Sequence, residues 1–317
     1  MTSSFVCSVG DIPDGRIERG ASHEIFKGKM KKLLFILVIF FALQTRAQDL
    51  QYTTEDSVRV MQLIQSAQDD SVARASAGLL MLHIGRDIEA MGVPYVAHTL
   101  EPNDKERLIV NLRELDCTTF VETVMTLTLC VRSGRTTFDD YCRILQKIRY
   151  WQGRPPQYIR RLHYFTSWIE DNTTMDLVTE IQGPNPPFTA VQTVQAHYMT
   201  QHVDKYRMLT VNPQDVPFIR EMEQRIEGKK YRYIPKQQLY NNALLRSTIH
   251  DGDIIAIITN IAGLDTQHIG IAAWHSDGLH LLNASSIHHK VIEEPMTLRQ
   301  YLYKHPSMPG IRIVRIN

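Results

Sequence analysis

Residues 113–122 spell Arg-Glu-Leu-Asp-Cys-Thr-Thr-Phe-Val-Glu and place a cysteine where a loop turns into a helix. Beyond Cys117 the apolar residues recur at spacings of one, three and four, which predicts a helix with one buried face. Asp116 and Thr119 are both of the types that cap helices, and the spacing of Thr119 and Glu122 fits a capping box. We therefore expect Cys117 at or next to the helix N-terminus.

This position has chemical consequences for the thiol. A helix N-terminus offers unpaired backbone N–H groups and the positive end of the helix dipole. Both stabilise a thiolate, so the pattern predicts that the pKa of Cys117 falls from ~8.5 towards neutrality. The same N–H groups can receive an oxyanion. The alternative is a small cysteine that merely packs at a helix end, since free cysteine is often a core residue.

The four cysteines do not suit a disulfide framework. They are Cys7, Cys117, Cys130 and Cys142, and removal of an N-terminal leader leaves an odd number. At least one thiol is then free in any pairing. Cys130 and Cys142 are expected to be structural or to pair with each other, whereas Cys117 is a candidate nucleophile.

The N-terminal region has the organisation of a secretory signal. Residues 1–29 show no apolar periodicity and are expected to be an upstream extension, with the true start at Met30. A basic start, the apolar run 33–43 and a small residue at a cleavage site predict a signal peptide over 30–47. The run is too short to span a bilayer, although an interfacial anchor helix is an alternative. We expect an exported, periplasmic protein of residues 48–317 with no stable membrane anchor.

The rest of the chain changes from helical to strand patterns. Helical spacing covers 56–68, 71–91, 137–149, 196–206 and 217–228. Strand patterns cover 231–234, 254–259, 269–274, 279–283 and 311–316, and residues 244–253 are expected to be a turn. Helices followed by strands predict an α+β domain with an antiparallel sheet. The chain is long enough for one large domain, and its net charge of +1 gives no reason to expect nucleic acid.

A thiol nucleophile needs a base and a group that orients the base. His268 heads one predicted strand and Asn283 ends the next, and adjacent antiparallel strands can bring the two side by side. The asparagine carbonyl can then accept the imidazole N–H and leave the other ring nitrogen towards the thiol. Gly270 and Ala272 share the face of His268 and leave room for a helix. The alternative is a hydrogen-bonded structural histidine.

An aromatic pair and a histidine pair are further candidates for ligand binding. Tyr164 and Trp168 are four residues apart and are candidates for lining a sugar or peptide groove, although such pairs commonly pack in a core. His197 and His202 are five residues apart, which does not suit a helical zinc pair, and no CxxC or HExxH occurs. We expect neither a metal nor a cofactor.

Taken in order, these motifs resemble those of the NlpC-type papain-like cell-wall hydrolases. The resemblance is closest to the N-acetylmuramoyl-L-alanine amidase-like branch, which has an Asp-Cys-Thr-Thr-Phe-Val-Glu core. The segments that carry it span roughly residues 75–317 and are Gly92-Val-Pro-Tyr95, Asp116-Cys-Thr-Thr-Phe-Val121, Asp251-Gly-Asp-Ile-Ile255, His268-Ile-Gly-Ile271 and Asn283-Ala-Ser285.

The resemblance implies a papain-like fold, with the cysteine helix packed on a C-terminal antiparallel sheet. It implies that Cys117 is the nucleophile, His268 the base and Asn283 the third member of a triad. Tyr95, together with the Cys117 backbone N–H, would hold the oxyanion, although the stretch between Tyr95 and Cys117 is longer than in the common pattern. Residues 134–240 form a large insert that would shape the substrate cleft.

The function implied is that of an exported cysteine amidase acting on peptidoglycan fragments. The bond expected is that between N-acetylmuramic acid and L-alanine, with Tyr158, Tyr164 and Trp168 stacking on sugar faces. A closed cleft would favour small, soluble muropeptides over intact sacculi. Two alternatives stay open: a D-glutamyl–diamino acid endopeptidase of the same fold, and a non-catalytic muropeptide-binding module.

Overall fold

The computed structural model describes residues 49–69 and 76–317. The expected upstream extension (1–29) and signal peptide (30–47) lie outside the described residues. From Asp49 to Asn317 the chain forms one compact unit. Within the described part, no helix is both long and apolar enough to cross a membrane.

The elements follow the predicted order of helices and then strands. The α-helices of the described chain are α1 (Thr54–Asp69), α2 (Ala77–Ala90), α3 (Cys117–Arg132), α4 (Phe138–Arg149), α5 (Phe165–Thr174), α6 (Tyr198–Gln201), α7 (Arg207–Val211), α8 (Val216–Ile226), α9 (Ala243–Thr248) and α10 (Leu298–Lys304). The strands are β1 (Leu50–Gln51), β2 (Leu108–Ile109), β3 (Val178–Ile181), β4 (Ala190–Thr193), β5 (Lys230–Pro235), β6 (Ile254–Ile258), β7 (Thr266–Trp274), β8 (Leu279–Ser285), β9 (Lys290–Glu293) and β10 (Gly310–Ile316). Residues 244–253, expected to be a turn, include most of α9.

The main sheet is antiparallel throughout. Its strands follow the order β4-β5-β10-β6-β7-β8-β9, and β3 also pairs with β10. A separate parallel pair joins β1 to β2. The predicted α+β class with an antiparallel sheet is confirmed.

Strand β6 shows how the layers are arranged. All five of its residues are buried, because both faces of the sheet are covered. Ile254 and Ala256 join the larger apolar cluster, which also contains side chains of α1, α2, α3 and α4. Ile255 and Ile257 join a second cluster on the opposite face, together with side chains of α10. A strand buried on both faces needs the continuous apolar run that the sequence carries here.

The expected insert at 134–240 is joined closely to this core. Helices α4 and α5 contribute side chains to the larger cluster, and β3 and β5 both pair with β10. The stretch 194–226 forms a third apolar cluster with Tyr158 and Tyr164. This third cluster places the insert beside the start of β7.

Helix α3 begins with a cap that differs from the expected one. Asp116 is the N-cap and accepts a hydrogen bond from the Thr119 backbone at 2.8 Å, while the Thr119 hydroxyl accepts one from the Asp116 backbone at 2.9 Å. The capping box is therefore formed by Asp116 and Thr119, and the predicted capping box of Thr119 and Glu122 is wrong. Glu122 is buried and instead accepts a hydrogen bond from Arg149 at 2.7 Å. A buried guanidinium requires such a partner.

Candidate active site

A cleft of about 160 Å³ brings the start of α3, the insert and the start of β7 together. Cys117 and His268 both line it, so the two residues predicted to react lie in one cavity. The other lining residues are Thr118, Leu162, His163, Tyr164, Phe165, Met199, Tyr206, Leu264, Asp265, Thr266, Gln267 and Ile269.

Cys117 is the first residue of α3, and its neighbours set the properties of the thiol. Burial raises the pKa of Cys117 to about 12, and the Asp116 carboxylate adds to this rise. The backbone N–H of Ile269 and the groups of Thr118 act in the opposite direction. The predicted fall of the pKa towards neutrality is therefore wrong, because the loss of water around the sulfur outweighs the stabilising N–H groups. This rise favours the protonated thiol at neutral pH.

His268 and Asn283 form a fixed pair. The His268 Nε2 atom lies 2.8 Å from the Asn283 Oδ1 atom, and Asn283 is fully buried. The Asn283 Nδ2 atom donates to the carbonyls of Leu281 and Ile292 and to the Glu294 carboxylate, each at 3.2 Å. These three acceptors fix the amide orientation, so Oδ1 accepts and His268 Nε2 carries the proton. The Nδ1 atom of His268 is then the basic nitrogen.

Burial also determines the charge of the His268 imidazole. It lowers the pKa of His268, while the hydrogen bond to Asn283 and the charge of Glu294 oppose this effect. Since the pKa lies below its usual value of 6.5, the imidazole is neutral at neutral pH and can accept a proton.

The helix that covers the His268 face is not the cysteine helix. His268 pairs with Ile257, and its ring stacks near that of Tyr301 from α10, with ring centroids 6.4 Å apart. Ile269 and Ile271 point to the opposite face and pack in the cluster that contains α3. Cys117 therefore meets the sheet near the start of β7, where the Ile269 N–H approaches the sulfur.

Tyr95 lies close to Cys117. Its backbone is held by a bridge to Leu115 and by a hydrogen bond from its N–H to the His289 carbonyl at 3.0 Å. Burial raises the pKa of the Tyr95 phenol, and negative charge on Cys117 or Asp116 raises it further. The phenol is therefore near enough to the sulfur to interact with it electrostatically. Its role in binding an oxyanion stays a prediction.

The aromatic residues expected to bind substrate are mostly core residues. Trp168 is only 1% exposed and stacks on Phe165 within the main cluster, so its assignment to a substrate groove is wrong. Tyr158 is also buried, behind His163, and cannot stack on a sugar. Tyr164 does line the cleft, but its hydroxyl donates to Glu223 at 2.7 Å. The spacing of these aromatics reflects packing of the insert rather than a sugar platform.

Several residues at the site were not anticipated. His163 lines the cleft, and burial holds its pKa well below the usual range, while its Nε2 atom donates to the Tyr158 carbonyl at 2.8 Å. Tyr301 and Glu294 stand beside and behind the His268–Asn283 pair. No periodicity in the sequence distinguishes these positions.

Other candidate sites lack comparable chemistry. A larger cleft, of about 400 Å³, lies between Trp151 and helix α8, and no cysteine or histidine lines it. Within residues 49–69 and 76–317, no group of three or more histidine, cysteine, aspartate or glutamate side chains is arranged to hold a metal ion.

A family model and similar solved structures indicate the same family for this chain. A family model described as AmiA-like, N-acetylmuramoyl-L-alanine amidase-like, matches residues 84–311. The solved structure of an N-acetylmuramoyl-L-alanine amidase from Bacteroides uniformis is 37% identical, covers 76% of this chain and 99% of its own, and superposes with a TM-score of 0.70. A Bacteroides fragilis protein described as a candidate xylanase is 38% identical over 72% of this chain and 99% of its own, with a TM-score of 0.66.

A Legionella pneumophila protein of 22% identity, with a TM-score of 0.59 over 83% of this chain and 94% of its own, shares the fold. No curated protein matches the chain. The matches define an amidase-like class of hydrolase related to peptidoglycan. Within that class, the chain belongs to the AmiA-like, N-acetylmuramoyl-L-alanine amidase-like family.

Proposed function

We propose that the protein is an exported cysteine amidase with an NlpC-type papain-like fold. Its reaction is hydrolysis of the bond between N-acetylmuramic acid and L-alanine in peptidoglycan fragments. The observation that carries this proposal is a cleft that holds Cys117 together with His268, whose Nε2 atom lies 2.8 Å from Asn283. Membership of the amidase-like family supports the choice of bond.

The mechanism starts from the neutral thiol and imidazole. The Nδ1 atom of His268 takes the thiol proton as the Cys117 sulfur attacks the lactyl carbonyl carbon. The developing oxyanion accepts hydrogen bonds from the Cys117 backbone N–H and the Tyr95 hydroxyl. His268 then protonates the amine of L-alanine, which leaves, and a thioester remains on the sulfur. Water activated by His268 hydrolyses the thioester and restores the thiol.

The insert supports a preference for small fragments. Its residues 162–165, Met199 and Tyr206 line the cleft together with Cys117 and His268, and form the wall that the insert contributes. A cavity of about 160 Å³ with such a wall admits the end of a muropeptide better than a continuous glycan mesh. The same wall would also suit an endopeptidase acting between D-glutamate and the diamino acid, so product analysis must separate the two.

Glycoside hydrolysis, suggested by the description of the Bacteroides fragilis relative, suits this cleft less well. That reaction commonly uses two carboxyl groups about 5–9.5 Å apart. Asp265 is the one acidic residue among the described residues that line the cleft. Asp265 is buried and its carboxylate accepts a hydrogen bond from the Thr166 backbone at 2.6 Å, so it is occupied structurally.

The decisive experiment is mass spectrometry of the products from a disaccharide-tetrapeptide. The proposal expects free disaccharide and intact tetrapeptide from the wild type, and no turnover from Cys117→Ala. A disaccharide-dipeptide and a dipeptide that starts with the diamino acid would instead identify an endopeptidase. Selective binding without turnover, and without labelling of Cys117 by a thiol reagent, would identify a binding module.

Export is proposed from the apolar run 33–43 and its flanking residues. N-terminal sequencing of the protein recovered from the periplasm should give a start at or near Gln48. A secreted chain that still begins before Met30 would contradict both the start site and the cleavage site.

A further inference from the structure

Glu294 is a buried acidic residue directly behind the proposed triad. It follows strand β9, is only 1% exposed, and donates its backbone N–H to the Leu281 carbonyl at 2.9 Å. The β8–β9 register pairs Asn283 with Ile292, so Ile292 and Glu294 share a face and Glu294 is the diagonal neighbour of Asn283. The hairpin therefore directs this carboxylate at the back of the Asn283 amide.

The two carboxylate oxygens of Glu294 have different partners. Oε1 accepts a hydrogen bond from Asn283 Nδ2 at 3.2 Å, and Oε2 lies 3.1 Å from His288 Nε2. His288 is about one third exposed, with a side-chain exposure of 32%. A continuous chain of contacts thus runs from His268 through Asn283 and Glu294 to a histidine at the surface.

An asparagine alone cannot perform every task of a triad aspartate. Its carbonyl orients the imidazole, but it carries no charge with which to stabilise the imidazolium that forms when the thiol loses its proton. A carboxylate one hydrogen bond further back can supply that charge. Its effect is strengthened by the low dielectric of a buried network.

We propose that Glu294 is a positioning residue that acts through the Asn283 amide to stabilise the His268 imidazolium during turnover. This inference rests on the proposed cysteine mechanism. It assigns the orienting and electrostatic parts of the triad's third position to two residues, Asn283 and Glu294. The electrostatic effect of Glu294 on His268, which favours the charged imidazole, agrees with this assignment.

Other groups near His268 must be separated from Glu294. From the start of α3, Asp116 also favours the charged imidazole, whereas His305, after α10, opposes it. Tyr301 of α10 contributes its ring, and burial raises the pKa of its phenol to about 12. Around Glu294 itself, His288 contacts the carboxylate and His280 contacts the backbone carbonyl.

The test is the pH dependence of Cys117 alkylation by iodoacetamide, followed by mass spectrometry on the full mature chain. Glu294→Gln keeps the shape and can still accept from Asn283, but it removes the charge. We expect alkylation at pH 7 to slow about three- to tenfold, and the acid limb of the profile to move about half a unit to one unit lower. The limb moves down because loss of negative charge lowers the pKa of His268.

Glu293→Gln is the matched control. Glu293 is the preceding residue, and its carboxylate contacts Arg86 and His275 outside the chain of contacts. The control should leave both rate and limb unchanged. His288→Arg, at a partly exposed position, places a permanent cation against the Glu294 carboxylate and should move the acid limb to lower pH.

The outcomes separate this inference from the proposed function. Slower alkylation without a shift of the limb, or an equal shift in Glu293→Gln, would overturn the role of Glu294. If Glu294→Gln does not fold, an unmoved limb in His288→Arg overturns it instead. Alkylation that slows in His268→Ala but is unchanged in Glu294→Gln would reject the inference and keep the cysteine mechanism. Unchanged alkylation in His268→Ala would reject both.

Discussion

The two ends of helix α3 each carry a cysteine, and the comparison between them is instructive. Cys117 stands at the first turn and Cys130 in the last. Burial raises the pKa of both thiols to about 12 and is the largest cause in each case. Neither thiol is in a disulfide. The direction of the pKa shift therefore does not separate the half-buried Cys117 from the buried Cys130.

The difference lies in what surrounds each sulfur. Cys117 lines a cleft shared with His268, and the Ile269 N–H approaches it. Cys130 is fully buried in the main apolar cluster, with Cys142 close by. A buried thiol becomes a nucleophile when a base and hydrogen-bond donors are placed beside it, whereas its unassisted pKa says little about its role.

Removing each sulfur in turn should give the largest difference in activity between the two cysteines. Cys117→Ala should lower kcat/KM for a disaccharide-tetrapeptide by about 10⁴-fold or more, because no other group can form the thioester. Cys130→Ala should retain activity within about twofold and lose about 1 kcal/mol of unfolding free energy through lost packing. Steady-state kinetics and urea unfolding measure the two effects. Equal activity in the two variants would reject the cysteine mechanism.

The neighbours of Cys117 should differ in importance. His268→Ala should lower kcat/KM by about 10³-fold, since it removes the group that moves the proton. Asn283→Ala should cost about 10- to 100-fold, since it removes the fixed orientation of the ring and the link to Glu294 but leaves the base itself in place. Kinetics on muropeptide with both variants, checked for folding by circular dichroism, test the order. A larger loss in Asn283→Ala than in His268→Ala would reverse the roles.

A buried ion pair in the middle of α3 and an exposed ion pair on α1 should differ in how much they contribute to the free energy of unfolding. Glu122→Ala leaves the Arg149 guanidinium buried without its partner and should cost about 3–5 kcal/mol. Glu55→Ala removes the exposed pair with Arg59 and should cost less than about 1 kcal/mol. Urea unfolding compares the two. Similar losses would show that Arg149 finds another acceptor beyond the Ile109 carbonyl that it already contacts.

The pH dependence of kcat/KM should show the smallest of these effects. Burial lowers the pKa of His268, so the neutral base persists below pH 6.5 and the acid limb of kcat/KM should lie below that value. The thiol pKa of Cys117, raised to about 12, predicts no rise of kcat/KM from thiol ionisation between pH 7 and 9. A profile that climbs tenfold per unit through this range would show unassisted thiolate attack and contradict general-base catalysis.

The sequence predicted the parts of the fold with strong local signals. Strand β6 is a continuous β-branched run, and α3 has an amphipathic period that begins at a capping residue. Strands β3, β4 and β9 were not predicted, because each has four residues and is stabilised by pairing with a distant strand. The turn expected at 244–253 contains α9, a helix of six residues that Asn242 caps.

Site residues that belong to sequence motifs could be predicted. Those whose positions depend on tertiary packing could not. The structure brings His268 and Asn283 together because the antiparallel register of β7 and β8, which pairs Ile271 with Leu282, makes them diagonal neighbours. Trp168 was assigned to a groove because helical spacing does not reveal which side of a helix faces the core. Glu294 lies in none of the predicted strands, so only the observed register connects it to Asn283.

The fixed amide of Asn283 also bears on how the protein ages. Deamidation would convert Nδ2, which donates to Leu281, Ile292 and Glu294, into an oxygen facing three acceptors. The product would repel its surroundings and lose the geometry that holds His268. Because Asn283 is fully buried in a paired strand, this damage has to await local opening of the sheet. Shelf life of the active enzyme should therefore follow the opening rate of the β8–β9 hairpin.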